Sequence, residues 1–119
     1  MARILVVDDE PDQRFLLRRS LMRAGHDVTE AGDGAAALRA IAQTAPDLLV
    51  TDMMMPVMGG KELIRRLRGE PATASLKILV TSWDWRQAGG ADAVVPKSDS
   101  LHRLVEVANG LLREGRDLR

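Results

Sequence analysis

Ile4-Leu5-Val6-Val7-Asp8-Asp9 decides the fold of this chain. Four apolar residues in succession leave no polar face, so a strand here is buried on both sides, as in the parallel sheet of an α/β protein. The run ends on two acids. The same grammar returns downstream. Leu48-Leu49-Val50 ends at Thr51-Asp52, Leu76 to Val80 ends at Thr81-Ser82, and the shorter Ala93-Val94-Val95 ends at Pro96-Lys97. His26-Asp27-Val28-Thr29-Glu30 alternates polar and apolar residues and predicts a more exposed strand.

Helical patterns separate these runs. From Pro11 the apolar residues Phe15, Leu16, Leu21 and Met22 recur near a 3.6 period, with Gly25 as a C-terminal stop. Asp33-Gly34 opens an Ala-rich helix, Ala35 to Gln43, which Pro46 stops. Lys61 to Arg68 predicts an amphipathic helix with Leu63, Ile64 and Leu67 as its stripe and Arg65, Arg66 and Arg68 on a solvated face. Ser100 to Leu112 predicts a last helix with Leu101, Leu104, Val105, Ala108 and Leu112 facing inward. Strands alternating with helices predict an α/β fold, a doubly wound five-stranded parallel sheet of flavodoxin-like order 2-1-3-4-5, in one domain over 1–119. One crossover is short. Between Thr81 and Asp92 lie only Ser82 to Ala91, including Gly89-Gly90. A parallel crossover with its helix needs at least about 10–12 residues, so that helix is expected to be reduced or absent.

Composition narrows the function classes. The 17 Lys and Arg equal the 17 Asp and Glu, which disfavours nucleic-acid binding through bulk charge. With no cysteine, disulfides, thiolate metal sites and a cysteine nucleophile are excluded. No apolar run approaches the roughly 20 residues of a membrane helix, and the N-terminal apolar run is too short for a signal sequence. The expectation is a cytoplasmic protein without membrane contact.

In a doubly wound sheet the ligand lies beyond the carboxyl ends of the strands, where strand order reverses. For order 2-1-3-4-5 that is between strands one and three. Asp8, Asp9 and Asp52 therefore converge, with Thr81 and Ser82 beyond strand three and Lys97 at the end of strand five. Three carboxylates in one crevice repel one another, and a hard cation such as Mg²⁺ relieves the repulsion. A hydroxyl, an ammonium and a carboxylate-held Mg²⁺ together suit a dianionic phosphoryl group, with Asp52 as carboxylate nucleophile. Each residue alone has an ordinary role: Asp8-Asp9 as turn acids before Pro11, Asp52 in a loop, Thr81 as a strand-end cap, Lys97 in solvent. All four strand ends carrying complementary chemistry at once favours the site. His26 and His102 fall outside it and receive no role.

At these residues the chain resembles the receiver domains of response regulators. The resemblance rests on Ile4 to Glu10, on Pro46 to Gly60 with its Asp52-Met53-Met54-Met55-Pro56-Val57-Met58-Gly59 stretch, on Ile78 to Ser82, on Gly90-Ala91-Asp92-Ala93, and on Lys97. It implies that Asp52 accepts a phosphoryl group from a sensor histidine kinase or a histidine phosphotransfer protein. It implies that Asp8, Asp9, Asp52 and the backbone carbonyl of Met54 hold Mg²⁺, and that Thr81 and Lys97 grip the phosphoryl oxygens. It also implies self-modification in a phosphorelay, with no turnover of an external substrate, and an unnamed downstream protein. The chain departs from the family at Val94, where an aromatic residue is usual, and at Ser98, where a proline usually follows the lysine. These departures and the short crossover support an alternative, a pseudo-receiver that acts as an interaction module without phosphorylation-dependent switching. A third reading, a Mg²⁺-dependent phosphatase, is disfavoured because no second acid closely follows Asp52. Trp83 and Met54, each two residues past Thr81 and Asp52, are expected either to shield an aspartyl phosphate from water or, for Trp83 with Trp85, to cover core left open by the missing helix.

Overall fold

The computed structural model describes residues 2–83 and 88–117. The elements run β1 (Arg3–Val7), α1 (Pro11–Arg23), β2 (Asp27–Ala31), α2 (Gly34–Gln43), β3 (Leu48–Asp52), α3 (Gly60–Gly69), β4 (Lys77–Ser82), β5 (Ala93–Pro96) and α4 (Leu101–Asp117). All pairings are parallel, in the order β2-β1-β3-β4-β5, which is the expected order.

The two-sided burial inferred from the apolar runs has a simple geometry. Alternate residues of a strand point to opposite faces. Ile4, Val6, Leu48, Val50 and Leu79 pack with Leu17, Leu21, Leu104 and Ala108 from α1 and α4. Leu5, Val7, Leu49, Ile78 and Val80 pack with Ala37, Ile41, Leu63, Ile64 and Leu67 from α2 and α3. Edge strand β2 buries only Val28 and Ala31, one against each face of the sheet. Local signals set the helix limits. Pro11 opens α1, and Gly25 at φ 95° ends the turn that follows it. Asp33 caps α2 by accepting a hydrogen bond from the Ala36 amide at 2.8 Å.

Among the described residues no helix lies between β4 and β5. Gly90, at φ 89°, turns the chain back, and the Asp92 amide donates to the Ile78 carbonyl at 2.8 Å. Trp85 lies outside the described residues. Trp83 is 76% exposed, so it does not cover core.

Two expectations are corrected by tertiary contacts. In α1 the inward face is Leu17 and Leu21, while Phe15, Leu16 and Met22 are about half exposed. Helix periodicity defines faces but not which one meets the sheet, and the richer face here is the outer one. Arg68 is not a solvated residue. Its guanidinium donates to the carbonyls of Gly90, Ala74 and Leu76 at 3.0, 2.8 and 2.6 Å and pairs with Asp92 Oδ2 at 2.9 Å. That carboxylate oxygen also accepts from the Ile78 amide at 2.7 Å. Arg68 thus ties the end of α3 to the loop that precedes β4 and to the end of the short crossover that precedes β5. Arg68→Met removes these donors and should lower stability by about 2 kcal/mol. Urea denaturation measures this, and a loss within the ~0.5 kcal/mol typical of surface changes would overturn it. Arg65 and Arg66 do lie on an exposed face, where hydrogen bonds from Arg65 and then Arg66 pull the Glu62 carboxyl down to about 2.

Candidate phosphoacceptor site

The strand register delivers the site. Val7 pairs with Thr51 and Asp52 with Thr81, so the carboxyl ends of β1, β3 and β4 lie side by side. Beyond β5 the Lys97 amide donates to the Ser82 carbonyl at 3.1 Å, and Asp99 donates to the Pro96 carbonyl at 3.0 Å. These bonds hold the loop that carries Lys97 with Ser98 in place of a proline.

Asp8, Asp52, Thr81 and Ser82 are buried, and Asp9 is exposed at the rim. One carboxylate oxygen from each of Asp8, Asp9 and Asp52 lies within 4.8 Å of the others. Lys97 Nζ stands 3.1 Å from Asp52 Oδ2 and 3.6 Å from Asp8 Oδ2. Its side chain is nearly enclosed. Burial alone would pull its ammonium down, but the hydrogen bond and charge of Asp52, with Asp8 behind it, hold it above the ordinary lysine range. The Asp8 carboxyl is also held above its ordinary range. Burial raises it, and the Glu10 amide and Lys97 offset this only in part.

Asp52 Oδ1 accepts from the Met53 amide at 2.7 Å, with the Met54 amide at 3.4 Å. Asp8 Oδ1 accepts from the Glu10 amide at 2.9 Å. Among the described residues two buried side-chain polar atoms have no hydrogen-bond partner, Asp8 Oδ2 and Thr81 Oγ1. Orphaned buried oxygens are rare and costly, and their position marks what the crevice accommodates. Asp8 Oδ2 within the carboxylate cluster fits a hard divalent cation, and Thr81 Oγ1 across from Asp52 fits an oxygen-rich anion.

The structure therefore brings together Asp8, Asp9, Asp52, Thr81 and Lys97, and places Met54 in the loop that leaves Asp52. Met54 and Trp83 are 78% and 76% exposed where the chain leaves β3 and β4. Of the methionine run only Met53 is fully buried, so packing accounts for part of it. His26 is distant from the site. It accepts from the Ala2 amide and contacts Asn109 Oδ1 through Nε2 at 2.7 Å. The sequence did not point to Arg14, whose Nη1 donates to the Asp8 carbonyl at 2.6 Å, or to Gly60, which lies against the Asp52 backbone. A contact made through a main-chain oxygen leaves no mark in residue patterning.

Comparison with known proteins agrees with this arrangement. The family profile described as the response regulator receiver domain matches residues 4–109. Response regulator MprA of Mycobacterium tuberculosis is 44% identical over 116 residues, covering 93% of this chain and 50% of that protein. The chain thus spans about half the length of the curated relatives it matches. The receiver domain of a signal transduction histidine kinase from Syntrophus aciditrophicus superposes with a TM-score of 0.89 at 29% identity, covering 96% of this chain and 92% of that one. Response regulator TrrA of Thermotoga maritima, solved in complex with Mg²⁺-BeF, gives 0.86 at 33% identity over 93% and 99% of the two chains. With the sheet order, the acid cluster and these likenesses in agreement, the chain belongs to the response regulator receiver domains.

Proposed function

We propose that this chain is the phosphoacceptor switch of a two-component system and that Asp52 takes its phosphoryl group from a phosphohistidine of a sensor histidine kinase or a histidine phosphotransfer protein. The observation that carries this is the pair of orphaned oxygens, Asp8 Oδ2 and Thr81 Oγ1, flanking a carboxylate that Lys97 already pairs. Asp8, Asp9, Asp52 and the Met54 carbonyl would hold Mg²⁺. When bound, that cation neutralises the carboxylates and the incoming phosphoryl oxygens. An Asp52 carboxylate oxygen attacks phosphorus, the phosphorus–nitrogen bond breaks, and the imidazole nitrogen keeps the electron pair. Lys97 moves its hydrogen bond from Asp52 Oδ2 to a phosphoryl oxygen, and Thr81 Oγ1 donates to another. The chain modifies itself and turns over no external substrate.

Incubation with acetyl phosphate and Mg²⁺ tests this by intact mass. One phosphoryl group is expected on the wild type and none on Asp52→Asn. Absence of the adduct on the wild type would favour the pseudo-receiver reading, which Val94, Ser98 and the short crossover support. Release of phosphate over many turnovers would point to a phosphatase. The exposed Trp83 is free to close over the acceptor. Trp83→Ala is expected to shorten the half-life of the aspartyl phosphate, and an unchanged half-life would overturn the shielding role.

A further inference from the structure

We infer that Arg14, braced by Glu30, forms a bracket that sets the acid pair for its divalent cation, with Arg14 as a positioning residue; this rests on the Mg²⁺ reading above. Asp8 is fixed at three atoms. Its amide donates to the Ala31 carbonyl at 3.2 Å, its Oδ1 accepts from Glu10, and its carbonyl accepts from Arg14 Nη1 at 2.6 Å. Its Oδ2, 3.6 Å from Lys97 Nζ, has no hydrogen-bond partner and faces the acid cluster.

The Arg14 contact reaches further than Asp8. The Asp8 carbonyl and the Asp9 nitrogen belong to one rigid peptide plane, so anchoring that carbonyl sets the direction in which Asp9 leaves the backbone. Among the described residues nothing hydrogen-bonds the Asp9 carboxylate. Asp9 therefore depends on its backbone for aim, whereas Asp52 is held by its own amide and lysine partners. Arg14 sits in the first turn of α1, where its amide donates to the Glu10 carbonyl at 3.0 Å, so the helix start supplies a firm base.

A bare guanidinium beside a cation site would repel the cation. Glu30 on β2 reduces this problem. Its Oε1 accepts from Arg14 Nε at 3.0 Å, and its Oε2 pairs with Arg18 at 3.4 Å. The bracket thus supplies a strong donor whose charge is partly offset, since Glu30 is shared with Arg18. Arg18 shares the glutamate but does not bond the Asp8 carbonyl, which makes it the natural control.

Titration calorimetry with MgCl₂ on the whole chain tests the bracket, with urea unfolding in EDTA as the separate structural readout. Arg14→Met is expected to weaken Mg²⁺ binding roughly tenfold, the lower end of what loss of a partner behind a metal ligand does. Arg18→Met is expected to bind as wild type. Glu30→Gln leaves the donor but uncovers its charge, so its weakening should shrink as NaCl is raised. Arg14→Lys, which reaches the carbonyl or Glu30 but not both, should fall between, and it carries the test with Glu30→Gln if Arg14→Met fails to fold. Wild-type affinity in Arg14→Met, or in Arg14→Lys and Glu30→Gln together, would overturn the inference, as would equal weakening in Arg18→Met. A wild type that takes up no Mg²⁺ would overturn the cation site itself, and the bracket's role with it.

Discussion

Lys97→Met is expected to cost the metal-free protein about 3 kcal/mol at neutral pH and to abolish stable phosphorylation of Asp52. The substitution keeps the length and apolar stem of the side chain, so packing is nearly preserved. It removes the ammonium that stands 3.1 Å from Asp52 and 3.6 Å from Asp8. Both acids are buried, and breaking a buried pair from one side leaves uncompensated charge, at about 3–5 kcal/mol. The low end applies because the crevice opens to water at Asp9. The pH dependence has a definite sign. Lys97 is held above its ordinary range, so in the wild type its contribution is present at neutral pH and is lost as alkali passes through the raised value. In Lys97→Met that alkaline loss disappears. Asp8 is already raised by burial, and losing the lysine removes one of the groups that hold it down, so its folded-state carboxyl favours protonation further. The deficit should therefore be largest at neutral pH and shrink as pH falls into the carboxylate range. Millimolar Mg²⁺ should restore part of it, because a cation bound only by the folded state stabilises by mass action. Urea midpoints at several pH values, with and without Mg²⁺, measure all of this. A variant as stable as wild type in EDTA at neutral pH would show that the acids do not depend on Lys97.

How much of this was legible in the sequence follows from where the information resides. Strands buried on both faces must be apolar throughout, so β1, β3 and β4 announced themselves, and with them the strand ends that carry Asp8, Asp9, Asp52 and Thr81. The reduced crossover was a matter of chain length, since ten residues sit at the lower limit of about 10–12 for a parallel crossover with its helix, and among the described residues no helix lies there. Sidedness was not legible. Both faces of α1 carry apolar residues, and only the packed sheet shows that Leu17 and Leu21 point inward while Phe15, Leu16 and Met22 do not. Nor were contacts from arginines to main-chain oxygens. Every residue has a carbonyl, so no side-chain pattern marks those that Arg14 and Arg68 find. At both positions a charged side chain is a structural tie to the main chain.

Gly60→Ala brings the acceptor loop and the fold to the same test. Gly60 opens α3, and its amide donates to the Met53 carbonyl at 2.9 Å, which folds the loop after Asp52 back on itself. An added Cβ would overlap the Asp52 carbonyl oxygen and come within 2.8 Å of Met53 Cα and 3.0 Å of its sulfur. The sulfur could move aside, but the two backbone atoms cannot without shifting the residue that bears the acceptor carboxylate. Overpacking in a well-packed interior costs about 1–3 kcal/mol, and the upper end applies where the opposing atoms are main chain. The loss of stability should therefore be about 3 kcal/mol. Phosphorylation by acetyl phosphate should slow even under conditions where the variant is folded, because Asp52 is moved off its alignment with Lys97 and Thr81. Gly69 at the other end of the same helix is the counterpart. Nothing lies within 4 Å of the position of its Cβ. Gly69→Ala should thus gain about 0.5 kcal/mol, since alanine gives up less backbone freedom on folding. If the two substitutions instead had equal effects on urea midpoint and phosphorylation rate, helix propensity would account for both. The close approach of α3 to the Asp52 backbone would then have no part in holding the acceptor.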